Sequence, residues 1–181
     1  MILGLDVSTS ITGATILDES GKTLYCEYWD LRNKRLFPDL FAKGEAVRLN
    51  LLEIALRPQY EVKEIYIEKS LQSFRPGFSS AKTLSTLAAF NGMVSWIAHR
   101  MLGLKPEYIA ANSARKLCGI KTGKSKETKL KVLQFVVDND DGFKVEYTKF
   151  GNPKPGMTDM ADSWVLAKAG LITCKQKKPE S

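Results

Sequence analysis

Asp6 and Glu68 each close an apolar run, ILGLD and EIYIE, while Asp159 and Asp162 stand three apart in TDMADSWVLAKAGL. A carboxylate at the end of a core strand is costly to desolvate unless a positive group meets it. Residues three apart on a helix share one side of it, with Cβ atoms about 5–6 Å apart. Several acids placed in this way point to a hard divalent cation held by oxygen ligands. Each acid also has a plainer reading: Thr158 or Asp159 can cap the last helix, and Asp162 can complement its dipole. All four together are harder to obtain by accident. They sit in a chain of net charge +7, and an acidic cluster in a basic protein points to metal-dependent chemistry on a polyanion.

The elements that must position these acids can be read along the chain. Residues 1–8 and 12–19 predict two strands, and TLYCEYWDL after the Glu19–Lys22 turn predicts a third. Connections this short require antiparallel neighbours. Residues 39–57 repeat apolar positions at helical spacing and stop at Pro58. The fourth strand, VKEIYIE over 62–68, is reached through that helix and is expected parallel to the first. A loop, SLQSFRPGFSS, follows, then a helix over 79–102 with a strip of small residues at Ser85, Ala88, Ala89 and Gly92. PEYIAA predicts a short strand, NSARKLCG a helical turn, and residues 125–138 a helix opened by Ser125. DNDDGFKVEYTKFGNPKPGM reads as a polar linker before the acidic last helix.

Length and composition narrow the class. The 181 residues suit one domain over 1–174 with a polar basic tail at 175–181. Cys26, Cys118 and Cys174 lie far apart without metal-finger spacing, which suits a reducing compartment rather than a disulfide framework. No apolar run approaches membrane-spanning length and no leader precedes ILGLD. The expectation is a cytoplasmic protein with no membrane partner.

Three antiparallel strands, then helix–strand–helix–strand, then helices, is the order of the ribonuclease H-like fold: α/β, a mixed five-stranded sheet with helices on both faces. First and fourth strands are central neighbours there, which would bring Asp6 to Glu68. The quartet and its contexts resemble the RuvC-like Holliday-junction resolvases within that superfamily. ILGLDVSTSITGATILD is similar to the family's first motif, IYIEKS to its second, and TDMADSWVLAKA to its terminal D-x-x-D-[AS] helix. SSAKTLSTLAAFNGM resembles the helix after the second acid, and NSARKLCGIKTGKSKETKLKVL the basic segment. The likeness spans nearly the whole chain.

That resemblance implies Asp6, Glu68, Asp159 and Asp162 as catalytic ligands of two Mg2+ ions, with Mn2+ as substitute. It implies paired cuts in a four-way DNA junction that leave 5′-phosphate and 3′-hydroxyl ends. It also implies a symmetric homodimer, a natural match to a junction in which two strands are cut. The helix over 79–102 would supply part of the dimer contact or pack its small strip on its own sheet.

The stretch 115–131 carries Arg115, Lys116, Lys121, Lys124, Lys126, Lys129 and Lys131 against Glu127. Such a run can be merely a solvated face. With Gly119, Gly123 and a helix start near Ser125, it can also approach a DNA backbone. By position Lys116 and Lys126 match the family's lysines, with Lys124 or Lys129 as other holders of the second role. The family's bacterial members carry an aromatic three residues past the second acid, where this chain has Leu71. Phe74, Arg75 and Phe78 follow in the loop, as a wedge between bases or as anchors of the loop. His99 reads as a packing or surface residue. Other readings are a related nuclease on other branched DNA or structured RNA, and a junction binder without activity. The first motif also resembles the phosphate loop of sugar-kinase and actin-like ATPases, whose two-domain clamp needs a longer chain.

Overall fold

A computed structural model describes residues 1–70, 80–121 and 125–177, with the backbone alone at Ser125 and Lys126. Five strands, β1 (Ile2–Asp6), β2 (Ile11–Leu17), β3 (Thr23–Asp30), β4 (Glu64–Glu68) and β5 (Glu107–Ile109), form one sheet in the order β3-β2-β1-β4-β5. The β1–β2 and β2–β3 pairs are antiparallel, and β4 runs parallel to both β1 and β5. The helices among the described residues are α1 (Leu40–Ala55), α2 (Ala81–Leu102), α3 (Ala111–Leu117), α4 (Ser125–Asn139) and α5 (Met157–Lys177). This is the expected mixed five-stranded sheet with helices on both faces.

Strand alternation sorts the side chains between two cores. Leu3, Leu5, Ala14, Ile16, Ile65 and Ile67 point to one face and pack under α1 and α2 with Val47, Leu51, Phe90 and Val94. Ile2, Leu17 and Tyr66 point to the other and pack under α5 and α4 with Trp164, Val165, Val132 and Val136. The same period of two carries Asp6 and Glu68 onto the α5 face, because each is an even number of residues from Ile2 or Tyr66.

Helix α5 runs close against that face because small residues let it. A Cβ on Gly4 would stand 2.4 Å from the Ser163 carbonyl oxygen and 2.5 Å from the Ala167 nitrogen. On Gly13 it would stand 2.0 Å from the Asp159 carbonyl oxygen, while Gly170 lies on the Tyr66 ring. Thr15 and Ser163 share a buried hydroxyl contact of 2.7 Å. Contacts run from Gly13–Asp159 through Gly4–Ser163 to Glu64–Cys174, so α5 is antiparallel to β1 and its first turn sits at the strand ends carrying the acids. Gly13→Ala is expected to lift that turn and destabilise the fold by about 1–3 kcal/mol. A urea midpoint equal to wild type would refute this close approach.

Two expectations shift in detail. Residues 175–177, at the start of the expected polar tail, are exposed and helical as the last residues of α5, with Lys177 on Glu107 at 3.1 Å. The linker before α5 is tied down: Trp164 Nε1 donates to Asp140 Oδ2 at 3.0 Å, and residues 146–154 fold back as a hairpin. The small strip of α2 faces away from the sheet. Ser85, Ala88, Ala89 and Gly92 are exposed, as is Trp96 at 65%, so the strip does not pack on its own sheet. All three cysteines are free.

Candidate active site

Parallel pairing of β1 with β4 puts the ends of the two strands side by side, with Leu5 opposite Ile67 and the acids one residue beyond. Asp6 and Glu68 thus stand side by side and act on each other electrostatically. Burial, the charge of Glu68 and the charges of Asp162 and Asp159 push the Asp6 carboxyl well above the usual carboxylate range. Burial raises Glu68 as well, opposed by its contact with Asp6, while Asp162 adds to the rise and Arg115 and Lys129 counter it. Asp159 is raised by burial, and Lys129 acts against the rise. The four predicted acids therefore lie within one another's field, brought from β1, β4 and one side of the first turns of α5.

Asp162 is buried, and Arg115 from α3 donates to its Oδ1 at 3.0 Å. The side chains of this pair are only 14% and 10% exposed. Arg115, expected on the DNA-facing run, thus turns inward to the acids, and its Nε is buried without a hydrogen-bond partner among the described residues. Lys116, Lys121 and Lys129 are exposed. Lys129, from the first turns of α4, is the lysine whose charge reaches both Glu68 and Asp159. The side chain of Lys126 is not described, and Lys124, Phe74, Arg75 and Phe78 lie outside the described residues. His99 stays at the far end of α2, with Nδ1 3.2 Å from the Leu104 carbonyl oxygen.

Asn91, which no reading of the sequence singled out, anchors the site from α2. Its Nδ2 donates to the Glu68 carbonyl oxygen at 2.9 Å. Ser95 Oγ donates to the Asn91 carbonyl at 2.7 Å and accepts from Tyr108 at 2.7 Å. A polar chain thus runs from β5 through α2 to the end of β4. The only signal in the sequence was an amide inside the apolar run LAAFNGMV. Between α2 and the strand ends lies a cleft of about 170 Å³, lined by Asp6, Ser8, Glu68, Leu84, Leu87 and Asn91. One wall carries the acidic Asp6 and Glu68 and the other the apolar Leu84 and Leu87.

The donor set fits a hard divalent cation. All four candidate ligands are carboxylates, their mutual repulsion disfavours full ionisation, and a divalent ion relieves that repulsion more strongly than a shared proton. Among the described residues no three His, Cys, Asp or Glu side chains already stand at ligand spacing around one point.

No family model and no curated protein matches the chain. Solved structures do. Thermus thermophilus RuvC in complex with a Holliday junction substrate aligns with a TM-score of 0.65 at 13% identity, covering 97% of this chain and 94% of that one. Thermus thermophilus RuvC in a second structure gives 0.62 at 14%, over 97% and 96%. The yeast mitochondrial Holliday junction resolvase Ydc2 gives 0.56 at 13%, over 98% and 84%. The class is therefore defined: a ribonuclease H-like fold. Its particular form is the RuvC-like one, shared over nearly the whole chain at an identity that carries architecture alone.

Proposed function

We propose that this chain is a structure-selective DNA endonuclease that resolves four-way junctions by metal-dependent phosphodiester hydrolysis. The observation that carries the reading is the meeting of Asp6, Glu68, Asp159 and Asp162 beside an open cleft in a RuvC-like fold. These residues would hold two Mg2+ ions, a pair that supplies water activation and leaving-oxygen stabilisation when bound. Water adds to phosphorus, the bond to O3′ breaks, and the products are a 5′-phosphate and a 3′-hydroxyl. Arg115 orients Asp162 from behind, and Asn91 fixes the strand end that presents Glu68. Exposed Lys116, Lys121 and Lys129 would meet phosphates, with Lys129 set nearest the acids. The outward strip of α2, with Gly92 open and Trp96 exposed, supports a homodimer through that helix. Two copies would present two such sites to the two strands of one junction.

The test is cleavage of labelled four-way junction, plain duplex, single strand and a matching RNA junction, with and without Mg2+. Paired, Mg2+-dependent cuts confined to the DNA junction, by a species sedimenting as a dimer, are the expected result. No cleavage with Mg2+ or Mn2+ despite tight junction binding would replace this reading with that of a binder. Equal cutting of the RNA junction would remove the DNA preference.

A further inference from the structure

Between α4 and α5 a short hairpin carries features that neither the cores nor the acidic centre use. Tyr147 bridges Pro153, Lys154 N donates to the Glu146 carbonyl at 2.8 Å, and Thr148 N donates to the Asn152 carbonyl at 2.8 Å. Gly151 N closes the turn on the Thr148 carbonyl at 3.0 Å, and its φ of +76° is the left-handed conformation that suits glycine. Lys149 and Phe150 therefore occupy the tip. Phe150 is 78% exposed and Tyr147 58% exposed, and the Lys149 ammonium lies 5.0 Å from the Phe150 ring centroid. Three lysines, Lys144, Lys149 and Lys154, accompany one glutamate, Glu146, which is bonded to Lys154 at 2.7 Å.

The stem is fixed to the start of α5 and to β3. Glu146 N donates to Met157 Sδ at 3.3 Å, and Gly156 lies against the Tyr28 ring so closely that a Cβ would stand 2.4 Å from it. Tyr28 pairs with Gly13, and Gly13 pairs with Asp6. A cation-flanked aromatic is thus mounted on the strand row of Asp6 and at the start of the helix bearing Asp159. Phenylalanine at a solvated hairpin tip gains nothing from water, whereas an exposed base offers it a π face. The neighbouring lysines suit the phosphates on either side of that base, while a protein partner would call for a wider apolar area around the ring.

We infer that the hairpin Glu146–Lys154 is a second DNA-contact element, in which Phe150 stacks on an unpaired base at the branch point and Lys149 meets an adjacent phosphate. This rests on the proposed reading as a junction enzyme and adds where branch recognition resides. The test uses the full chain without divalent cation and measures Kd for a synthetic four-way junction and for duplex of the same sequence, across a salt series. Phe150→Ala should weaken junction binding about tenfold and leave duplex binding unchanged. Phe150→Trp should restore the preference. Lys149→Ala should weaken both substrates and reduce the salt slope by about one. Thermal melts matching wild type are expected for all three variants, since these side chains lie outside the core. A wild type that prefers the junction, with Phe150→Ala preferring it equally, would overturn this inference and leave the proposed function standing. A wild type with no preference for the junction would overturn both. Loss of a dimer in Phe150→Ala would reassign the hairpin to contact between copies and refute the proposal.

Discussion

Asp6→Asn is expected to reduce junction cleavage at least about a thousandfold while leaving junction affinity within about threefold of wild type. Asp6 stands at the meeting point of β1, β4 and α5, where Glu68, Asp162 and Asp159 all act on it. The amide keeps the shape and removes the charge that would hold a cation. Both cores lie below it, so the amide leaves their packing intact. The metal-free protein should even gain on the order of 1 kcal/mol, because a buried repulsion disappears. Asp6, Glu68 and Asp159 each retain protons to higher pH in the folded chain than in the unfolded one. Without divalent cation, the contribution of these three acids to stability should therefore be fully present below their unfolded pKa values and lost as pH rises through the folded ones. Asp6→Asn should flatten that decline, and added Mg2+ should oppose it. Equal loss of cleavage and binding, or a Tm that does not respond to Mg2+, would mean the acids organise the fold or the DNA rather than a metal.

Arg115→Ala is expected to cost about 3–5 kcal/mol of stability, the range for breaking a buried ion pair by removing one partner. The side chain is largely buried, its guanidinium bonds Asp162 at 3.0 Å, and its charge also reaches Glu68. Without it Asp162 is buried among three other acids, while the charge of Lys129 still reaches Glu68 and Asp159. Arg115→Lys should recover part of the loss, since the charge returns without the planar fork. Adding Asp162→Asn to Arg115→Ala should cost less than the two single effects combined, because the second change removes the charge that the first strands. Denaturant melts with and without Mg2+ would decide the matter, with Mg2+ expected to help Arg115→Ala more than wild type. A midpoint unchanged in Arg115→Ala would return this arginine to the DNA-facing surface expected from its neighbours in the chain.

The contrast between Arg115 and Lys129 shows how far local pattern reaches. Strands, helices and the even spacing that sets Asp6 apart from Leu3 and Leu5 follow from periodicity, because alternation in a strand and the helical repeat are short-range properties. The i, i+3 placement of Asp159 and Asp162 is likewise local, and so is the turn chemistry of KFGN, although the polar composition around it suggests only a linker. What local pattern leaves open is which side of the basic run faces inward. Arg115 and Lys116 are adjacent in the chain, yet one bonds a buried acid and the other meets solvent, as the packing of α3 on α5 dictates. Asn91 joins Glu68 only because α2 crosses the end of β4, and Gly13 matters only because the Asp159 carbonyl lies on it. The acids and their elements were determined by the sequence itself. Their convergence, the inward arginine and the mounted hairpin were decided by tertiary structure, because each depends on contacts between residues that the chain brings together only on folding.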